Sequence, residues 1–190
     1  MNTWSPLIGE LAFDRTVRLW MENISHPTLD LYFGWITHLG SPLAFAIGGV
    51  VSMLVCIRVG KSWAGLVLNM CLVTSWVIMH TLKELIGRPR PPGEHLTYAA
   101  GFSFPSGHAM ISMAFYGFIA YLLWSSLPYK GGKWGAALLG IIIISIGLSR
   151  VYLNVHYASD VLAGFLLGGL WVWLFARMYH HLERINTHRK

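Results

Sequence analysis

Lys133-WGAALLGIIIISIGLS-Arg150-VYLNVHYAS-Asp160-VLAGFLLGGLWVWLFA-Arg177 decides the fold. Two runs of 16 residues without Asp, Glu, Lys or Arg flank one short polar turn. With the residues that bound it, each run approaches the roughly 20 mostly apolar residues that a helix needs to cross a bilayer core. Lys133 and Arg150 can reach the two interfaces with their long side chains. The stretch therefore reads as a membrane hairpin whose turn carries the polar chemistry.

The same reading extends along the chain. Between Glu94 and Lys130 lie 35 residues without a formal charge, between Lys61 and Lys83 lie 21, and between Asp30 and Arg58 lie 27. Spans are expected near 41–59, 62–82, 107–127, 133–149 and 157–177. The last of these gaps is too long for one straight span, about 40 Å at 1.5 Å per residue. Gly40-Ser41-Pro42 offers a break, with Pro42 at the start of the next helix. Upstream, Leu11, Val17, Leu19, Trp20 and Ile24 alternate with Glu10, Asp14, Arg15, Arg18 and Glu22, the pattern of a helix lying in the membrane plane. The expected fold class is all-α: a polytopic transmembrane helix bundle of five spans, with an N-terminal interfacial amphipathic helix. A sixth span upstream of Pro42 is the alternative. The chain reads as a single domain over 1–190, with an interfacial region 1–40, a bundle 41–180 and a basic cytoplasmic tail 181–190.

Composition agrees. Of 190 residues, 55% are hydrophobic and 12% charged, with a mean hydropathy of +0.53. A soluble domain carries about 25% charge. Disorder is excluded, and a net charge of +6 is read here through its placement in the membrane, with no nucleic-acid partner expected. Cys56 and Cys71 lie in apolar runs and read as packing residues. The first 20 residues lack the charged-then-apolar order of a cleavable signal.

With five spans, eight Lys/Arg fall on one side and six on the other, and four of those six sit in compact clusters. The positive-inside rule then puts Arg58, Lys61, Lys130, Lys133 and the C-terminus in the cytoplasm. The expected location is the inner (plasma) membrane, multi-pass, with the 83–106 and 150–156 loops on the periplasmic or extracellular side. Gly164 and Gly168 form a small-xxx-small pair, a face for helix packing within the chain or for a homo-oligomer.

Three polar clusters converge on that outer face. They are Lys83 to Pro91, Phe104-Pro105-Ser106-Gly107-His108, and Ser149-Arg150 through His156 to Asp160. Lys83, Arg90 and Arg150 supply cations, and Ser106 supplies a hydroxyl. Gly107 supplies an approachable N–H at a helix N-terminus. These suit a multiply charged oxyanion such as phosphate. His156 and Asp160 are four apart and face one way, so the acid can orient the imidazole as a nucleophile. His108 comes from another span and can act as proton donor. No dense carboxylate cluster suits magnesium.

These residues resemble the type 2 phosphatidic acid phosphatase family, also called the lipid phosphate phosphatases. The family motifs K-x6-RP, PSGH and SR-x5-H-x3-D match Lys83 to Arg90-Pro91, Pro105 to His108, and Ser149-Arg150 to His156 to Asp160, in order. The resemblance implies that His156 is the nucleophile, Asp160 its orienter and His108 the acid and base. It also implies that Lys83, Arg90, Ser106, Gly107 and Arg150 cradle phosphate, and that no metal or other cofactor is required. The implied partner is a lipid phosphate in the bilayer, with undecaprenyl diphosphate favoured and phosphatidylglycerophosphate next. A transporter or a non-catalytic binder of lipid phosphate is the alternative function. Arg88 is left open between substrate contact and another role. Ser149, His38, His80 and His95 read as structural, and Glu94 and Tyr98 as candidates for shaping head-group choice.

Overall fold

The computed structural model describes residues 9–126 and 129–187, and among these every regular element is helical. Helix α1 spans Ala12–Asn23 and α2 spans Pro27–Ile36, running into a 3-10 turn at Thr37–Gly40. Helices α3 (Pro42–Arg58), α4 (Ser62–Ile86), α5 (Gly107–Ser126), α6 (Tyr129–Tyr152) and α7 (Ala158–Thr187) follow.

Among the described residues, four helices are long and apolar enough to cross a membrane: α4, α5, α6 and α7. The first span departs from expectation. α3 has only 17 residues, about 25 Å of helix against a core of about 30 Å. It joins the α2 segment in a pair bent by 51° across Ser41, the geometry of either a broken span or a re-entrant loop, and the pair supplies a fifth span only if it crosses as one. Ser41 makes the break, because its Oγ accepts from Ala44 N at 3.2 Å and Pro42 occupies the first helical turn. Five spans is thus the most that the described residues supply. The alternative of a sixth is corrected, since α1 at 12 residues is too short to cross. α7 continues through 187, so residues 181–187 of the expected tail are helical; residues 188–190 lie outside the described residues, as do 1–8 of the interfacial region.

α5 is the axis of the bundle, packed against α4, α6 and α7. Its Met110, Phe115 and Phe118 join Phe45, Leu68 and Tyr179 in one buried core. The pair Gly164 and Gly168 lets α7 approach α5 closely. A Cβ at Gly164 would lie 2.9 Å from Ser106 O, and one at Gly168 would lie 2.5 Å from Met110 O. α5 packs on that face within the chain. The outer rows of α3, α4, α6 and α7 expose Leu43, Val50, Val73, Ile141 and Leu166, as lipid-facing surfaces do.

The antiparallel path brings the end of α4, the start of α5, the end of α6 and the start of α7 to one end of the bundle. α1 packs across that end, against α6 and α7.

Candidate active site

The 153–157 turn between α6 and α7 positions His156. Arg150 O accepts from both Val155 N and His156 N at 3.1 Å, and Asn154 adopts φ 55° to reverse the chain. Asn154 Nδ2 donates to Pro92 O and Glu94 O at 3.0 and 3.1 Å, which ties the turn to the long 87–106 loop. Asp160 is the third residue of α7 and reaches back to accept from Tyr157 N at 3.0 Å, half of a capping box. The same Oδ2 lies 3.5 Å from His156 Nδ1. Ser103 donates a short hydrogen bond to that oxygen, and its Oγ lies 3.4 Å from Nδ1. The imidazole is thereby held from its Nδ1 side by a hydroxyl and a carboxylate.

On the other side, Nε2 lies 3.3 Å from Arg90 Nη1. Arg90 is fixed by three carbonyls: Gly101 O at 3.0 Å, Ala100 O at 2.7 Å and Val155 O at 2.6 Å. Burial lowers the Arg90 pKa, opposed by Asp160. Burial likewise pushes His156 down to about 3; the Asp160 hydrogen bond opposes the shift, and Lys83, Arg90 and Arg150 add to it. A neutral imidazole carries a free lone pair, as a nucleophile requires.

Lys83 ends α4 and donates to Phe102 O at 2.5 Å. Arg150 ends α6 and donates from Nη1 to Thr37 Oγ1 at 2.6 Å. Thr37 is buried in the 3-10 turn. Gly107 and His108 open α5. Lys83, Arg90, Gly107, His108, Arg150 and His156 all line one cavity of about 400 Å³. Asp160 sits behind His156, fully buried. Ser106 is also buried and does not line the cavity. Among the described residues, three buried side-chain polar atoms lack a hydrogen-bond partner, and two of them are Ser106 Oγ and Arg150 Nε. Buried polar atoms are nearly always partnered, so such orphans suit a site that binds an anion. The described residues contain no group of three His, Cys, Asp or Glu placed to hold a metal ion.

The cavity is amphipathic. Away from the cations it is walled by Pro42, Phe45 and Ala46 of α3 and by Leu72, Val73 and Trp76 of α4. Val73 and Trp76 are half exposed on the outer surface. A charged group can sit at one end with an acyl or isoprenoid chain leaving at the other.

Of the other residues, His95, Ser149 and Tyr98 fall as read from the sequence, and His80, Glu94 and Arg88 depart from it or resolve it. His80 lines the cavity, with its ring 4.2 Å from that of Trp76. His95 bonds Pro91 O at 3.0 Å in the loop. Ser149 bonds Ile146 O within its helix. Tyr98 lies exposed at the cavity, whereas Glu94 lines a separate cleft beside Arg18 and Glu22. Arg88 turns away from the cavity and bridges two buried carboxylates, Asp160 at 2.5 Å and Asp14 at 2.7 Å. Ser103, Thr37 and Asp14 were not among the site residues read from the sequence. Only the polar intrusion of Ser103 just before the PSGH motif was a visible signal.

The fold and the site define a class: a helical integral membrane protein that gathers three cations and two histidines beside an apolar groove. The PAP2 superfamily model matches residues 64–184, and the chain belongs to that superfamily. It is a hydrolase of the lipid phosphatase type. It is 39% identical over 170 residues to phosphatidylglycerophosphatase B of Bacillus subtilis, which covers 86% of this chain and 81% of the relative. The crystal structure of a transmembrane PAP2-type phosphatidylglycerolphosphate phosphatase from Bacillus subtilis matches with TM-score 0.83 and 35% identity. That match covers 88% of this chain and 85% of the other. An Escherichia coli protein bearing an undecaprenyl-diphosphatase name is 35% identical over 102 residues, 51% of this chain and 48% of its own.

Proposed function

We propose that this membrane phosphatase hydrolyses phosphatidylglycerophosphate by way of a phosphohistidine. The observation that carries the reading is the convergence of all three motif segments on one amphipathic cavity, with His156 Nε2 beside Arg90. Lys83, Arg90 and Arg150, with the Gly107 N–H, hold the phosphate oxygens and offset the charge that builds on them. His156 Nε2 attacks phosphorus while the P–O bond to the lipid breaks, and His108 gives a proton to the departing alkoxide oxygen. Water then attacks the phosphorus of the P–N adduct. His108 takes the water proton, the P–N bond breaks, and inorganic phosphate leaves. Asp160 holds Nδ1–H throughout. The lipid chains rest on the α3–α4 wall and remain in the bilayer. The Lys/Arg distribution supports a site on the outer side of the plasma membrane.

The family resemblance by itself favours undecaprenyl diphosphate. The relatives support the opposite order, because the phosphatidylglycerophosphatase match covers most of both chains and the diphosphatase match about half. Undecaprenyl diphosphate remains the second reading on the strength of that shorter match. Purified protein given phosphatidylglycerophosphate, undecaprenyl diphosphate, phosphatidic acid and a lipid A phosphate, each with EDTA, tests the proposal. Fastest phosphate release from the first, undiminished by EDTA, is expected. Preference for the diphosphate overturns the substrate, and loss of activity with EDTA overturns the metal-free mechanism. Release in detergent, with no compartments present, also separates an enzyme from a transporter.

A further inference from the structure

We propose that Asp14, on the N-terminal helix α1, is a positioning residue that acts through Arg88 on the Asp160–His156 pair; this rests on the phosphohistidine reading above. On α1 only Asp14 and Met21 are buried, seven residues apart on one face, while Arg15 and Glu22 are exposed. An aspartate on an interfacial helix would ordinarily face water. Here its carboxylate is fully covered and fully used. Oδ1 accepts from Ser159 N at 2.8 Å, and Oδ2 accepts from Ser159 Oγ and Arg88 Nη2, each at 2.7 Å. Arg88 Nη1 in turn donates to Asp160 Oδ1 at 2.5 Å and to Ser159 Oγ at 2.7 Å, and its guanidinium lies 4.1 Å from the centre of the Tyr157 ring.

Two buried carboxylates thus share one guanidinium. With Arg88 alone, Asp160 would be neutralised by a full positive charge and would support His156 weakly. With Asp14 on the opposite edge, that charge is divided, and the cluster keeps net negative charge behind Nδ1. Asp14 also pins the backbone of Ser159, the residue before Asp160, at the start of α7. The geometry therefore couples the seating of α1 on the bundle to the alignment of the nucleophile.

The test uses the full chain in detergent micelles with the substrate above. Asp14→Asn should lower kcat about tenfold with KM nearly unchanged. Orthovanadate and inorganic phosphate then separate alignment from general damage. Vanadate binds by bonding to a well-placed nucleophile, whereas phosphate needs only the cations. The variant should weaken vanadate inhibition about tenfold and leave phosphate inhibition within about twofold. Glu22→Gln, on the exposed side of the same helix, should change none of these. Wild-type vanadate inhibition in Asp14→Asn, or equal weakening of both anions, overturns the proposal. If Asp14→Asn does not fold, Ser159→Ala removes only the hydroxyl shared by Asp14 and Arg88. It should weaken vanadate selectively to a smaller degree, and an unchanged vanadate constant overturns the proposal. A wild-type protein that neither releases phosphate nor binds vanadate refutes the parent reading instead.

Discussion

Gly40→Ala isolates the contact between the 3-10 turn Thr37–Gly40 and His108. A Cβ at Gly40 would lie 2.7 Å from His108 Cδ2 and 2.7 Å from Ile146 Cγ2. Carbon atoms settle at about 3.5–4.0 Å, so the ring and the isoleucine must each recede from the added methyl by about 1 Å. Gly40 does not have positive φ, so alanine meets no backbone strain and the effect is steric alone. A displacement of about 1 Å in a catalytic group costs up to about 10²-fold in rate. Overpacking of this kind costs about 1–3 kcal/mol of stability. Steady-state phosphate release should therefore show kcat reduced about 10- to 100-fold with KM close to wild type. The control is Gly34→Ala, where nothing lies within 4 Å of the added methyl and kcat should be unchanged. Full kcat in Gly40→Ala would refute the placement of His108 against the 3-10 turn, and with it the claim that this turn shapes the site.

Arg150→Lys keeps a cation but loses the fork that spans Thr37 and the cavity; kcat/KM should fall about 10²-fold, and Thr37→Val should produce a smaller loss in the same assay. Equal activity of Arg150→Lys and wild type would remove Arg150 from the phosphate cradle. Acidification should destabilise the fold through His156. Its folded value of about 3 lies below the unfolded value of about 6.5, so the folded state binds fewer protons in that window. This contribution is present above pH about 6.5 and is lost as pH falls toward 3. Melting temperatures in detergent between pH 7 and 4 should drop more steeply for wild type than for His156→Gln, and identical slopes would contradict the burial of a neutral imidazole.

The spans were legible because a bilayer forbids charge, so uncharged runs of the right length report helices directly. The site was legible because its residues are fixed in local spacing: Asp160 follows His156 by one helical turn, and Lys83 and Arg90 bracket a helix end. What stayed hidden depends on segments far apart in the chain. The burial of Asp14 comes from Arg88 and Ser159, 74 and 145 residues away, while its own helix pattern reads as ordinary amphipathicity. The orientation of Arg88 could not be read, since neighbours two apart in a proline-rich loop can point either way. Thr37 looks like one more polar residue near a helix end until α2 and the 3-10 turn pack on α6 and bring it to Arg150. Gly164 and Gly168 announced a close contact without naming the partner, and α5 supplies it.

The central claim is that His156 Nε2 forms a bond to phosphorus. The most direct measurement is rapid quenching of the protein with substrate labelled in its phosphate, followed by the acid and alkali stability of the trapped label and its position in the digested chain. The account predicts a label on the His156 peptide, stable in alkali and lost in acid, and absent from His156→Ala. A wild-type enzyme that turns over with no such adduct, or a label that survives in His156→Ala, would contradict it.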